Sequence, residues 1–129
     1  MNTRILLLVW LIALLGGCET TYYLNGDKYV GDILKSKRHG MGRYYYANGD
    51  MYEGEFKRDK FNGRGSIFFA DGRQFITTFT DNQPAPTGTL IYPNADRYDG
   101  EILHGKAHGK GIYTYADGSR YSEIGRAHV

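Results

Sequence analysis

Cysteine, proline and tryptophan are nearly missing from this chain, at one, three and one of its 129 residues. A single thiol, Cys18, excludes an intramolecular disulfide, so packing and hydrogen bonds must hold the fold. Three prolines are too few for a polyproline segment or a proline-rich linker. Long apolar runs are scarce as well. The run at residues 5–15 is about half of the ~20 residues that a membrane-spanning helix needs. Nor is there a marked excess of one charge. Sixteen Lys and Arg against 14 Asp and Glu leave +2, which gives no argument for a nucleic-acid partner. What the chain does have is 18 glycines and 12 tyrosines, a composition that suits pleated sheet and tight turns, so an all-β fold is expected.

The opening residues, MNTRILLLVWLIALLGGC, place Arg4 before the apolar run and small residues before Cys18, the pattern of a signal peptide over residues 1–17. Leu15-Gly16-Gly17-Cys18 resembles the bacterial lipobox, in which the cysteine thiol is acylated and becomes the first mature residue. The resemblance implies a lipidated linker at residues 18–21. It also implies a lipoprotein of the bacterial cell envelope, held by acyl chains that contribute ~0.8 kcal/mol per buried methylene. Glu19, in place of aspartate, implies the outer membrane in a Gram-negative cell. An ordinary signal peptide or short anchor that happens to contain a cysteine is the alternative.

A register opened at Tyr29 and stepped by 23 meets Tyr29, Tyr52, Phe75, Tyr98 and Tyr121, all aromatic. Two residues on, the frame gives Gly31, Gly54, Thr77 and Gly100. Eleven on it gives Gly40, Gly63, Pro86 and Gly109, and thirteen on Gly42, Gly65, Gly88 and Gly111. Asn-Gly or Asp-Gly precedes most copies, a dipeptide that accepts positive φ and links antiparallel strands. Within a copy, YEGEF alternates, with Tyr52, Gly54 and Phe56 on one face and Glu53 and Glu55 on the other. Each glycine on the aromatic face is expected to be a gap over which a neighbouring ring lies. Each 23-residue unit is then a β-hairpin stabilised by stacking on its copies.

This pattern resembles the MORN repeat (membrane occupation and recognition nexus), most closely at YDGEILHGKAHGKGIYTYADG, residues 98–118, and next at residues 52–72. The resemblance spans residues 22–122, with copies starting near 29, 52, 75, 98 and 121, the one at 75 degenerate. It implies an elongated antiparallel meander of stacked hairpins and a non-enzymatic scaffold for protein association. Binding of anionic lipid or an envelope polysaccharide is the other reading. Tyr44, Tyr46, Phe69, Tyr113 and Tyr115 are the expected ligand face.

Basic residues gather within the hairpins at Lys35, Lys37 and Arg38 and at Lys57, Arg58 and Lys60, expected as loop tips along one edge. Catalysis and cofactors are not expected. The acid pair Glu53 and Glu55 recurs as Asp99 and Glu101, as register-bound sheet decoration would. Arg64 and Lys110 follow Glu55 and Glu101 by nine, which suggests cross-strand charge pairs. No metal site is expected either. His39 and His108, read as loop residues, stand three copies and roughly 29 Å apart at ~4.8 Å per strand.

The frame demands glycine at 123, yet the chain ends Glu123-Ile124-Gly125-Arg126-Ala127-His128-Val129. Ile-Gly-Arg-Ala-His-Val matches the translation of a common sequencing-adapter read, ATCGGAAGAGCACACGTC. Residues 123–129 are therefore expected to be a non-native tail interrupting a longer array.

Overall fold

The computed structural model describes residues 17–123. Residues 1–16 of the expected signal peptide, and 124–129 of the expected non-native tail, lie outside the described residues.

Eleven strands are present: β1 (Gly17–Tyr22), β2 (Lys28–Leu34), β3 (Lys37–Tyr45), β4 (Met51–Lys57), β5 (Lys60–Phe68), β6 (Gln74–Thr80), β7 (Gln83–Pro84), β8 (Thr87–Ile91), β9 (Arg97–Leu103), β10 (Lys106–Thr114) and β11 (Arg120–Glu123). They form one open antiparallel sheet in chain order, with the short β7 paired to β6 off the main path. The all-β meander expected from the 23-residue period is the observed fold, and there is no helix among the described residues. Residues 18–21, read as a linker, belong instead to β1, where Cys18 is exposed and pairs with Asp32.

Two kinds of turn alternate. Within copies the turn is two residues long, at Lys35 and Ser36, Arg58 and Asp59, Asp81 and Asn82, and His104 and Gly105. Both residues are left-handed, as at Lys35 (φ 51) and Ser36 (φ 63). Between copies the Asn-Gly or Asp-Gly stretch closes a five-residue turn, as where the Tyr46 amide donates to Asp50 O and the Gly49 amide to Tyr46 O. The expected basic loops are therefore much shorter than the sequence implied. Lys37, Arg38 and His39 lie in β3, Lys57 in β4, Lys60 in β5 and His108 in β10.

One face of the sheet carries the core. The leading aromatics sit in a row of cross-strand partners, Tyr29 beside Tyr44, Tyr44 beside Tyr52 and Tyr52 beside Ile67, which continues to Tyr98, Tyr113 and Tyr121. Two clusters result. Tyr29, Ile33, Tyr52, Phe56 and Phe79 make one, and Phe75, Leu90, Tyr98, Ile102 and Ala107 the other. The degenerate third copy keeps its place in both, because Phe75, Phe79 and Leu90 are still buried. It loses strand pairing where Pro84 and Pro86 cannot donate to the ladder. Thr77 stands where the other copies have glycine, is buried, and donates its hydroxyl to Thr87 O at 2.7 Å.

Candidate functional site

The signature glycines do two different jobs. Gly31 pairs with Gly42, Gly42 with Gly54 and Gly54 with Gly65, a glycine ladder that resumes at Gly88, Gly100 and Gly111. In the copies led by Tyr29, Tyr52 and Tyr98 the leading ring lies across its own glycine pair. A Cβ built on Gly65 would stand 2.5 Å from Tyr52 Cε2, and Tyr29 and Tyr98 crowd Gly42 and Gly111 in the same way. The hydroxyl then reaches the carbonyl three residues along its own strand, Tyr29 to Asp32 O at 2.8 Å, Tyr52 to Glu55 O at 2.7 Å and Tyr98 to Glu101 O at 2.9 Å. Burial pushes the Tyr29 and Tyr52 hydroxyls far above the usual tyrosine range, with the neighbouring carboxylates Asp32 and Glu55 adding to it.

Gly40, Gly63 and Gly109 hold no ring, contrary to the expectation from the sequence. Their φ values of 66, 105 and 76 lie in the left-handed region at a β-bulge, and a carboxylate from the preceding strand faces each. The bulge also corrects the expected ion pairs. Glu55 Oε2 accepts from the backbone amide of Arg64 at 2.7 Å, and Glu101 Oε2 from that of Lys110 at 2.5 Å. The side-chain ion pairs on this outer face are Arg43 with Glu53 at 2.6 Å and Arg97 with Asp99 at 2.7 Å.

Above the core, two tyrosine triads repeat 69 residues apart. In the first, Tyr23 and Tyr44 are 5.7 Å apart and Tyr44 and Tyr46 4.9 Å. In the second, Tyr92 and Tyr113 are 5.7 Å apart and Tyr113 and Tyr115 4.9 Å. An aspartate ties down each. Tyr44 donates to Asp27 Oδ2 at 2.7 Å while Asp27 Oδ1 takes the Ala47 amide, and Tyr113 donates to Asp96 Oδ2 at 2.8 Å while Asp96 Oδ1 takes the Ala116 amide. Burial, then the bond to Asp27, pushes Tyr44 up to about 12. The tyrosine hydroxyl bond is the main cause that holds Asp27 and Asp96 below the ordinary carboxylate range.

The triads differ in what they enclose. In the first, Arg38 lies over Tyr44, 4.9 Å from its ring centre, and is held by Asp59 at 3.2 Å and by Asp59 O at 2.8 Å. Arg38, assigned from the sequence to a basic edge, is thus half-buried and committed to the fold. In the second triad the register partner of Arg38 is Ala107. A groove of about 390 Å³ opens there, lined by Arg73, Tyr92, Lys106, Ala107, Tyr113, Tyr115 and Tyr121.

Of the expected ligand face, Tyr44 is packed on the first cluster, and Phe69 and Tyr113 on the second. Tyr46 is half-buried in the first triad, and Tyr115 is 45% exposed at the groove. Lys35, Lys37, Lys57, Arg58 and Lys60 are exposed along the side of the sheet that carries the two-residue turns. Tyr23, Tyr92, Asp27, Asp96 and Ala107 escaped the sequence reading. The signal for the first two was available, since Tyr23, Tyr46, Phe69, Tyr92 and Tyr115 also recur at steps of 23.

The family described as MORN repeat matches residues 29–51, 52–72 and 98–120, passing over the third copy. No curated protein matches the chain. Among solved structures, the sheet is similar to the SAS-4 (dCPAP) TCP domain of Drosophila melanogaster, determined in complex with a proline-rich motif of Ana2 (dSTIL). The TM-score is 0.55 at 20% identity, covering 83% of this chain and 60% of that one. The likeness is one of fold, and the chain spans about 60% of that domain's length.

Proposed function

This chain belongs to the MORN-repeat family, and from that premise we propose that it is a membrane-tethered, non-catalytic scaffold whose tyrosine-lined groove receives a segment of another protein. The observation that carries this reading is the groove beside Ala107, a concave site walled by aromatic rings with hydroxyls and two cations at its rim. Rings that join an apolar body to a polar tip favour peptide recognition at low entropic cost. The complex of the similarly folded TCP domain with a proline-rich motif supports a peptide partner. Carboxylates that follow the repeat register support a scaffold over an enzyme.

The tether in this proposal is Cys18, acylated at the envelope, and in the outer membrane where the cell has two. Its exposure at the start of β1 supports such an arrangement, since the anchor would be fused to the sheet with almost no intervening chain. A photo-crosslinking amino acid at position 106, on the groove rim and outside the tyrosine triad, activated in native envelopes, tests the partner. One discrete adduct with another protein is expected, and its absence with robust surface expression would refute the reading. A second reading rests on Lys35, Lys37, Lys57, Arg58 and Lys60, which could each contribute up to ~1 kcal/mol against an anionic leaflet. Binding to phosphatidylglycerol vesicles that is lost on replacing these five by glutamine would favour it.

A further inference from the structure

We propose that the cage formed by Tyr92, Tyr113 and Tyr115 receives an arginine side chain from the partner. This rests on the protein-partner reading above and specifies what the groove recognises. The molecule supplies its own precedent. Moving back three copies, 69 residues, takes Tyr92 to Tyr23, Tyr113 to Tyr44, Tyr115 to Tyr46 and Asp96 to Asp27, with both ring separations reproduced at 5.7 and 4.9 Å. In that first cage the side chain nine residues after the leading aromatic is Arg38, whose guanidinium lies 4.9 Å from the Tyr44 ring centre and 5.9 Å from that of Tyr23.

The second copy also fills this register position from within the chain, and in the third it is exposed. Phe61 stacks on Tyr52 at 3.8 Å, and the third copy has Pro84. In the second triad Ala107 leaves the ring faces without a long side chain of their own copy, and the groove opens at that point. Ring faces are negative and attract a guanidinium, and Asp96 behind Tyr113 adds to that field.

The cations at the rim do not oppose this. The Arg73 guanidinium is engaged by Asp71 at 2.8 Å and by Gly105 O at 2.9 Å, and it lies over Phe69. Lys106 is the register partner of Lys37, which stands next to Arg38 in the first copy. An adjacent ammonium is therefore compatible with a guanidinium caged as Arg38 is, with the Asp59 carboxylate at 3.2 Å, and the partner's arginine is expected to bring a carboxylate of its own.

The test uses the full-length chain in detergent with labelled tyrosine rings, titrated with N-acetyl-L-arginine methylamide and with its citrulline counterpart, which has the same shape without the charge. Arginine should shift the Tyr113 and Tyr115 resonances and bind about fivefold or more tightly than citrulline. Ala107→Arg should abolish those shifts by filling the cage from within, and Arg38→Ala, where it folds, should add a second arginine-responsive set at Tyr44 and Tyr46. Equal responses to arginine and citrulline, or none to either, would overturn the proposal. So would a response that emerges only after residues 124–129 are removed, which would make the tail the occupant. A protein adduct at position 106 that arginine amide fails to compete away leaves the partner reading standing and removes the cage. Arginine binding without any adduct does the reverse.

Discussion

Replacing Gly65 with alanine adds one methyl group at a point already occupied by a ring. The new Cβ would lie 2.5 Å from Tyr52 Cε2 and from the Tyr52 hydroxyl oxygen, and 2.6 Å from Cζ. Gly65 is not one of the left-handed glycines, so alanine meets no backbone strain there, and relief of glycine's chain entropy would favour it by about 0.5–1 kcal/mol. Any loss must come from the ring. Expelling Tyr52 would forfeit about 1.5–3 kcal/mol of burial and about 0.5–1.5 kcal/mol for each aromatic pair. The rings concerned are Phe61, stacked at 3.8 Å, and Phe56 and Phe79, edge-on at 5.1 and 5.3 Å. The hydroxyl bond to Glu55 O is worth about 1 kcal/mol more. Partial relaxation of an overpacked site keeps the net below that total, so a loss of about 2–4 kcal/mol is expected. Urea denaturation followed by far-ultraviolet circular dichroism measures it, with Gly118→Ala as the control. Gly118 has φ 90 but nothing within 4 Å, and should lose only the left-handed penalty of about 1–2 kcal/mol. The decisive comparison repeats Gly65→Ala in a Tyr52→Leu background, where most of the cost should vanish. Additivity of the two changes within about 0.5 kcal/mol would refute the ring-over-glycine account.

By the same reasoning Gly111→Val should lower the thermal midpoint far more than Ser119→Val, although strand propensity alone ranks valine above glycine; equal midpoints would contradict it. Asp27 and Asp96 titrate below their unfolded value of 3.8. Their contribution to stability is therefore complete above about pH 4 and is lost as pH falls through their folded values. The Tyr44→Phe, Tyr113→Phe double variant should flatten this acid limb, and an unchanged slope in pH-dependent melts would count against the triads as its source. Cys18→Ser should leave the precursor unprocessed and block incorporation of radiolabelled palmitate, whereas labelling that persists would defeat the lipid tether.

Much of the fold was legible because the period is short and its residues extreme. Five aromatics at steps of 23 with glycines at fixed offsets admit few arrangements other than stacked hairpins. What stayed hidden was geometry that a bulge controls. One extra residue at Gly63 turns Glu55 toward the Arg64 amide, so a spacing of nine that resembles a charge pair ends on the backbone. Arg38 was misplaced for a related reason. Lys-Ser-Lys-Arg-His reads as a polar loop, but a two-residue turn puts Arg38 back into β3 with its side chain over the core face. Ala107 carries no signal by itself, since an alanine in a strand means something only after its register partners have been seen to be large.

Because the sheet order follows the chain order, every strand finds its partners among its neighbours along the chain, save that β6 and β8 pair across the short β7, and closing each hairpin demands little loop entropy. Such an array folds like a zipper, able to start at any hairpin and to grow from there while the chain is still emerging from the ribosome. The zipper has a weak tooth. β6 and β8 are joined at three register positions, where β4 and β5 share six. The seam falls in the third copy, where β7 and β8 interrupt the strand that the other copies complete. Partial unfolding is thus expected to split the array there into two cooperative halves, one bearing the β1 edge strand and the other the open groove.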